Sequence, residues 1–238
     1  YRTMIKDIFK TKTKLPKNIL DDMMYKQFTF TPTEALKYKL VDKKVVEVGC
    51  GKGHFLKILY DLGVKNIKGF NPSYINYDPN IDRLVSKKFF NKEKIKEKVD
   101  FIICRYVLEH ISNPREFISS VTKCLTNNGT MYFEFPDLEW IIKNRTLFDF
   151  FYEHCNYFTR NCVIVLFDGF GFKNITFNYG LGRQYFQLEV SRDGLRGSKP
   201  TSTVDFSQIS RFLNQKIKEY KKLITKFDNF VVLGAGAK

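Results

Sequence analysis

Two stretches of the chain carry residue types that could do chemistry. The first is Glu47-Val48-Gly49-Cys50-Gly51-Lys52-Gly53, three glycines at alternate positions with a carboxylate two residues before the first. Glycine adopts positive φ readily and lets a ligand approach the backbone closely. The second is Tyr152-Glu153-His154 with Tyr157-Phe158 just after it, inside the aromatic run that extends from Phe148. An imidazole can take a proton near neutral pH, and aromatic faces exclude water and lie flat against a sugar or a base. The same residues would also serve as a core-packed lid in which Glu153 and His154 only satisfy backbone groups. Two smaller groups lie between them: Asn71 in Gly69-Phe70-Asn71-Pro72-Ser73, and Arg105-Tyr106-Val107-Leu108-Glu109-His110. Asn before Pro is also a turn former, and Glu109 and His110 could equally cap a helix end.

These residues need a frame, and the hydrophobic pattern supplies one. Val45-Val46-Glu47-Val48 is a compact β-branched run, as in a buried parallel strand, and it feeds the glycines directly. His54 to Leu59 continues as a helix, and Ile67 to Phe70 is a second strand. Leu84-Val85 and Phe89-Phe90 are candidates for a third, and Val99 to Cys104 is the next strong one. Asn113-Pro114-Arg115-Glu116 has the order of a helix start: cap, proline in the first turn, acid three residues after the cap. Asn127-Asn128-Gly129 reads as a turn, Met131 to Phe135 as a strand, Thr159 to Asp168 as a helix, and Ile175–Tyr179 and Tyr185–Val190 as two strands close enough to form a hairpin. Strands alternating with helices predict an α/β fold with a mostly parallel sheet, and the closing hairpin predicts one antiparallel strand near the C-terminal end.

The spacing of the loop narrows the ligand. A dinucleotide site favours G-x-G-x-x-G with the pyrophosphate on a helix N-terminus. Here the spacing is G-x-G-x-G behind an acid, which suits a nucleoside ligand without phosphate. The pattern resembles the first motif of class I S-adenosylmethionine-dependent methyltransferases. That resemblance implies a Rossmann-like seven-stranded sheet with helices on both faces. It implies S-adenosylmethionine as methyl donor, S-adenosylhomocysteine as product and no metal. It assigns cofactor contacts to Glu47, Gly49, Cys50, Gly51 and Gly53, to Asn71 where the superfamily places an acid for the ribose, and to Arg105, Tyr106 and His110 after the fourth strand.

From Val45 to about Phe172 the chain further resembles the sugar-nucleotide methyltransferases, especially the C-methyltransferases of branched deoxysugars, whose Glu-His and Tyr-Phe segments are matched by Glu153-His154 and Tyr157-Phe158. The resemblance implies His154 as catalytic base, Glu153 orienting it, and Tyr152 or Tyr157 bonding the developing enolate. The family's cysteine-rich zinc domain has no counterpart here, and the Tyr it often places three residues before the His is Phe151. Gly234-Ala235-Gly236-Ala237-Lys238 resembles the turn that opens the family's C-terminal domain.

The expected organisation is a basic helical extension over residues 1–40, with a helix opened by Thr31-Pro32-Thr33-Glu34, a methyltransferase domain over 41–192, and a tail over 193–238. That tail comprises a linker, an amphipathic helix bearing Ile209, Phe212, Leu213, Ile217, Tyr220, Leu223 and Ile224 on one face, and the start of a truncated nucleotide-fold domain. The net charge of +15 favours an anionic acceptor such as a nucleotide sugar, although a Lys-rich composition produces the same excess without selection. Nucleic acid is a less favoured partner: after the fourth strand the chain has Cys104-Arg105-Tyr106 and not Asn-Pro-Pro-aromatic, and no Pro-Cys pair occurs. A cofactor-binding module without activity is the remaining alternative. Five cysteines without a C-x-x-C pair give neither a zinc knuckle nor a disulfide framework. No apolar run approaches membrane-spanning length, and a cytoplasmic location is expected.

Overall fold

The computed structural model describes residues 38–76, 78–95, 97–146, 149–192 and 206–227. The expected helix at Thr31–Glu34, most of the linker and the glycine turn at 234–238 lie outside these residues. The chain divides into two compact units, and the larger, residues 30–204, carries a seven-stranded sheet. Its strands are β1 (Val45–Val48), β2 (Ile67–Phe70), β3 (Val85–Ser86), β4 (Val99–Arg105), β5 (Leu125–Pro136), β6 (Asn174–Gly180) and β7 (Tyr185–Ser191), in the order β3-β2-β1-β4-β5-β7-β6. The first five run parallel, and β7 pairs antiparallel with both β5 and β6. The strand order reverses between β1 and β4, the crevice position where open α/β sheets bind ligands.

Alternation along the strands sorts the core into two faces. Val46, Val48, Ile102, Cys104, Met131 and Phe133 point into one layer, where helices α3 (Pro114–Cys124) and α5 (Arg160–Asp168) bury Ile118, Val121, Val163 and Phe167. Glu47, Phe101, Ile103 and Arg105 point to the other face, where α1 (His54–Asp61) buries Phe55, Leu56 and Leu59. Helices therefore cover both faces, as an all-but-parallel sheet requires. The expected helix starts are borne out: Asn113 caps α3 by accepting from Glu116 N with Pro114 in the first turn, and Thr159 caps α5 by accepting from Cys162 N.

Two local readings need correction. Phe89 and Phe90 lie outside β3, which is only two residues long; Phe90 instead packs its ring edge-on against Phe70 and Phe117, while Phe89 is exposed. Asn127-Asn128-Gly129 does not break the chain into separate elements but forms an irregular stretch inside β5, where pairing with β4 jumps from Val99↔Leu125 to Phe101↔Thr130. Turn-forming residues are absorbed there as a bulge because the ladder resumes on either side. Two short helices, α2 (Pro79–Asp82) and α4 (Leu138–Asn144), complete this unit. In the second unit α6 (Phe206–Ile224) follows the expected amphipathic pattern. No helix among the described residues is long and apolar enough to cross a membrane.

Candidate active site

The glycine loop leaves the end of β1 in left-handed backbone: Gly49, Gly51 and Gly53 have φ of +72°, +54° and +72°. Hydrogen bonds hold this path, from Gly49 N to Phe70 O (2.8 Å), Cys50 N to the same carbonyl (3.2 Å) and Gly53 N to Cys50 O (2.8 Å). Gly49 has no room for a side chain, because a Cβ there would sit 2.2 Å from Val107 Cγ2. The same contact shows that the turn after β4 lies directly against the loop. At Gly51 nothing stands within 4 Å of the Cβ position, so a ligand can reach the bare backbone. Asn71, the first residue after β2, donates from Nδ2 to Gly51 O (3.2 Å) and thereby ties the second strand's end to the loop.

Beneath the loop, Glu47 is buried beside Arg105, which lies 4.0 Å from Glu47 Oε1 and 3.8 Å from Glu134 Oε2 and stacks over the Phe55 ring. Arg105 is thus placed as a buried cation between the buried carboxylates of two neighbouring strands. Cys50 is also buried, and burial together with the adjacent Glu47 carboxylate pushes its thiol well above the ordinary value, so it packs as a neutral side chain. Tyr106 adopts φ of +55°, uncommon for a non-glycine residue, with its amide donating to Glu134 O (2.7 Å) and its ring edge-on to Tyr185. An acid beneath an open glycine backbone is compatible with a cationic sulfonium nucleoside and unfavourable for a pyrophosphate. The open loop backbone therefore fits S-adenosylmethionine, with Asn71 tied to that loop and Glu47 buried below it.

The second cluster starts two residues beyond Val107. Glu109 and His110 lie on the 3-10 turn Leu108–His110, and the segment bearing His154 is stitched to it: Asn156 N donates to Glu109 O (3.1 Å) and Asn156 Nδ2 to Ile111 O (2.5 Å). The His110 and His154 rings meet edge-on with centroids 4.8 Å apart. Phe151 and Tyr157 flank His154, at 5.0 and 5.7 Å between centroids. Burial, reinforced by the neighbouring His110, lowers the His154 pKa to about 4 against the opposing pull of Glu153 and Asp149. Burial likewise raises Glu109 to about 8. Near neutral pH the imidazole is therefore an uncharged proton acceptor beside a largely protonated carboxyl.

The sequence candidates fall into distinct places. His154 and His110 come together, although the family resemblance assigns His110 to the cofactor. Glu153 meets the cluster through its backbone, with its carbonyl 3.1 Å from His110 Nδ1. The Tyr157 hydroxyl is engaged by Phe151, accepting from its N (3.0 Å) and donating to its O (3.2 Å), so it braces the segment. Tyr152 is 87% exposed. The residue that the pattern undervalued is Glu109. In sequence it looks like a helix-end acid, and only its burial at 2% exposure distinguishes it.

The comparisons agree with this fold. The sequence model of the family described as "Methyltransferase domain" matches residues 24–176, well over half of the chain. Among solved structures, magnesium protoporphyrin IX methyltransferase from Synechocystis PCC 6803 with bound SAH superposes with TM-score 0.56 at 15% identity, covering 81% of this chain and 100% of that one. Human N-acetylserotonin methyltransferase in complex with SAM gives TM-score 0.50 at 14% identity, covering 70% of this chain and 53% of that one. No curated protein sequence matches this one. At such identities the superpositions speak for the fold, and the family match speaks for membership. Glycine loop, strand order and family match together place the chain among the class I S-adenosylmethionine-dependent methyltransferases.

Proposed function

We propose that this methyltransferase acts on a nucleotide-activated sugar or a related surface-polysaccharide precursor, with carbon beside a ketone as the favoured methylation site and a hydroxyl oxygen as the alternative. The observation that carries the proposal is the cluster of Glu109, His110 and His154, walled by Phe151 and Tyr157, where the His154 segment meets the turn that follows the contact between Val107 and Gly49. The net charge of +15 suits a diphosphate-bearing acceptor.

The cofactor supplies a methyl group already activated by sulfonium, so the protein's tasks are alignment and proton removal. His154, neutral at physiological pH, takes the proton from the carbon next to the ketone or from the hydroxyl. The aromatic walls keep water from the carbanion-like centre. Glu109, sharing the same cluster, donates a hydrogen bond to the oxygen on which charge accumulates. Glu153 orients His110 through its carbonyl, and Tyr157 keeps the segment folded around the base.

The test is incubation of the chain with 4-keto nucleotide sugars in heavy water. The expected result is deuterium uptake at the carbon beside the ketone, methylated product when S-adenosylmethionine is added, and loss of both in His154→Ala. Neither deuterium uptake nor methylated product across a panel of such sugars would remove the carbon-methylation version.

A further inference from the structure

We propose that Glu109, His110 and His154 also form a binding site for a divalent transition cation of the zinc type, whose occupancy switches methyl transfer off. This rests on the reading above in which His154 takes the acceptor's proton. One potential ligand atom from each of the three side chains lies within 4.8 Å of the others. Two imidazoles and a carboxylate form a donor set suited to zinc and its neighbours and poorly suited to magnesium or calcium, which prefer oxygen. Bound to one ion, such atoms lie about 3 to 3.5 Å apart, so a modest rotamer adjustment closes the cluster.

A second feature points independently to a ligand. Glu109 is 2% exposed, its Oε2 has no hydrogen-bond partner, and His154 Nδ1 is likewise buried without one. Buried polar atoms left unmet are unfavourable, and here two of them share one cluster. His110 is already arranged as a ligand. Its Nδ1 lies 3.1 Å from the Glu153 carbonyl, which can only accept, so the proton sits on Nδ1 and the Nε2 lone pair is available. Exposure of His110 gives an ion a way in. The Asn156 bonds to Glu109 O and Ile111 O fix the backbone that carries His154 beside the turn that carries the other two.

The lone pairs that would hold the cation include one that must receive the acceptor's proton, so metal and proton compete for His154. Methyl transfer needs no metal, and the cation acts as an inhibitor that leaves the cofactor loop untouched.

The experiment titrates the chelator-washed full chain with zinc chloride, by calorimetry and against a chromophoric chelator, with magnesium chloride as control. Expected are one equivalent of zinc per chain, no magnesium binding, and affinity weakened at least about 10-fold in Glu109→Gln and in His154→Ala. Retained S-adenosylmethionine binding in both variants shows that they are folded. One equivalent of zinc should also stop deuterium exchange into a 4-keto nucleotide sugar, and chelator should restore it. Absence of zinc binding, or equal binding in wild type and both variants, overturns the site. Zinc bound at the site with exchange unaffected overturns the switch. Absence of exchange in the metal-free chain counts against the proposed function instead, and leaves the zinc titration to decide the site.

Discussion

His154 and Glu109 hold protons in the reverse of their ordinary order, because both have been taken out of water in one small cluster. Burial disfavours the charged form of each, which lowers the imidazole to about 4 and raises the carboxyl to about 8. A neutral base next to a neutral acid suits the enolisation proposed above. Replacing His154 by Ala should lower kcat by about 100- to 10,000-fold, the range for loss of a positioned general base. The affinity for S-adenosylmethionine should stay unchanged, since the proposed role of His154 is toward the acceptor. Parallel turnover and calorimetric measurements check this, and a matching loss of cofactor binding would argue against the assignment. Part of the site was legible in residue types alone: the glycine spacing, the acid at 47 and the Glu-His pair all stand out in sequence. Glu109 was not, because an acid beside a histidine after a strand looks like a cap until its burial is known. The separate fates of Tyr152 and Tyr157 were also hidden, since one tyrosine is as plausible as the other until the backbone shows that Tyr157 folds back on Phe151.

At the scale of elements, short caps and turns set where the functional side chains land. Asp137 caps α4 by accepting from Glu139 N (2.9 Å), and burial raises its pKa from 3.8 to about 6. The sign follows from the folded value lying above the unfolded one. The protonated carboxyl is the form the fold prefers, its contribution is complete below about pH 4, and stability falls as pH rises through 6. Asn retains the cap and carries no charge. Asp137→Asn should therefore be more stable than wild type at pH 8, by on the order of 2 kcal/mol, with the difference vanishing near pH 4. Thermal unfolding of both proteins at the two pH values measures it, and equal midpoints at pH 8 would count against the shift. The cap at Asn113 was readable in sequence because a cap is a local pattern. The bulge at Asn127-Asn128-Gly129 was not, because whether turn residues end a strand or merely interrupt it depends on the neighbouring β4 ladder. Phe90 misled for a related reason: its apolar character reflects packing on Phe70 and Phe117, not membership of a strand.

At the scale of the whole molecule, strand order converts scattered motifs into one crevice. β1 stands between β2 and β4, so the glycine loop, Asn71 and the turn after β4 share the carboxyl end of the sheet even though they are far apart in sequence. The parallel topology and the reversed β7 could be anticipated from strand and helix alternation plus one hairpin, whereas the register that brings Val107 onto Gly49 could not. Calorimetric titration of the purified chain with S-adenosylmethionine tests the cofactor assignment most directly, with NAD as control and Gly49→Ala as the variant. The prediction is saturable one-to-one binding of S-adenosylmethionine, none of NAD, and at least about tenfold weaker binding in Gly49→Ala, whose new Cβ would meet Val107 Cγ2 at 2.2 Å on a backbone with φ of +72°. A folded chain that ignores S-adenosylmethionine, takes NAD in its place, or binds equally well with Ala at position 49 would contradict it.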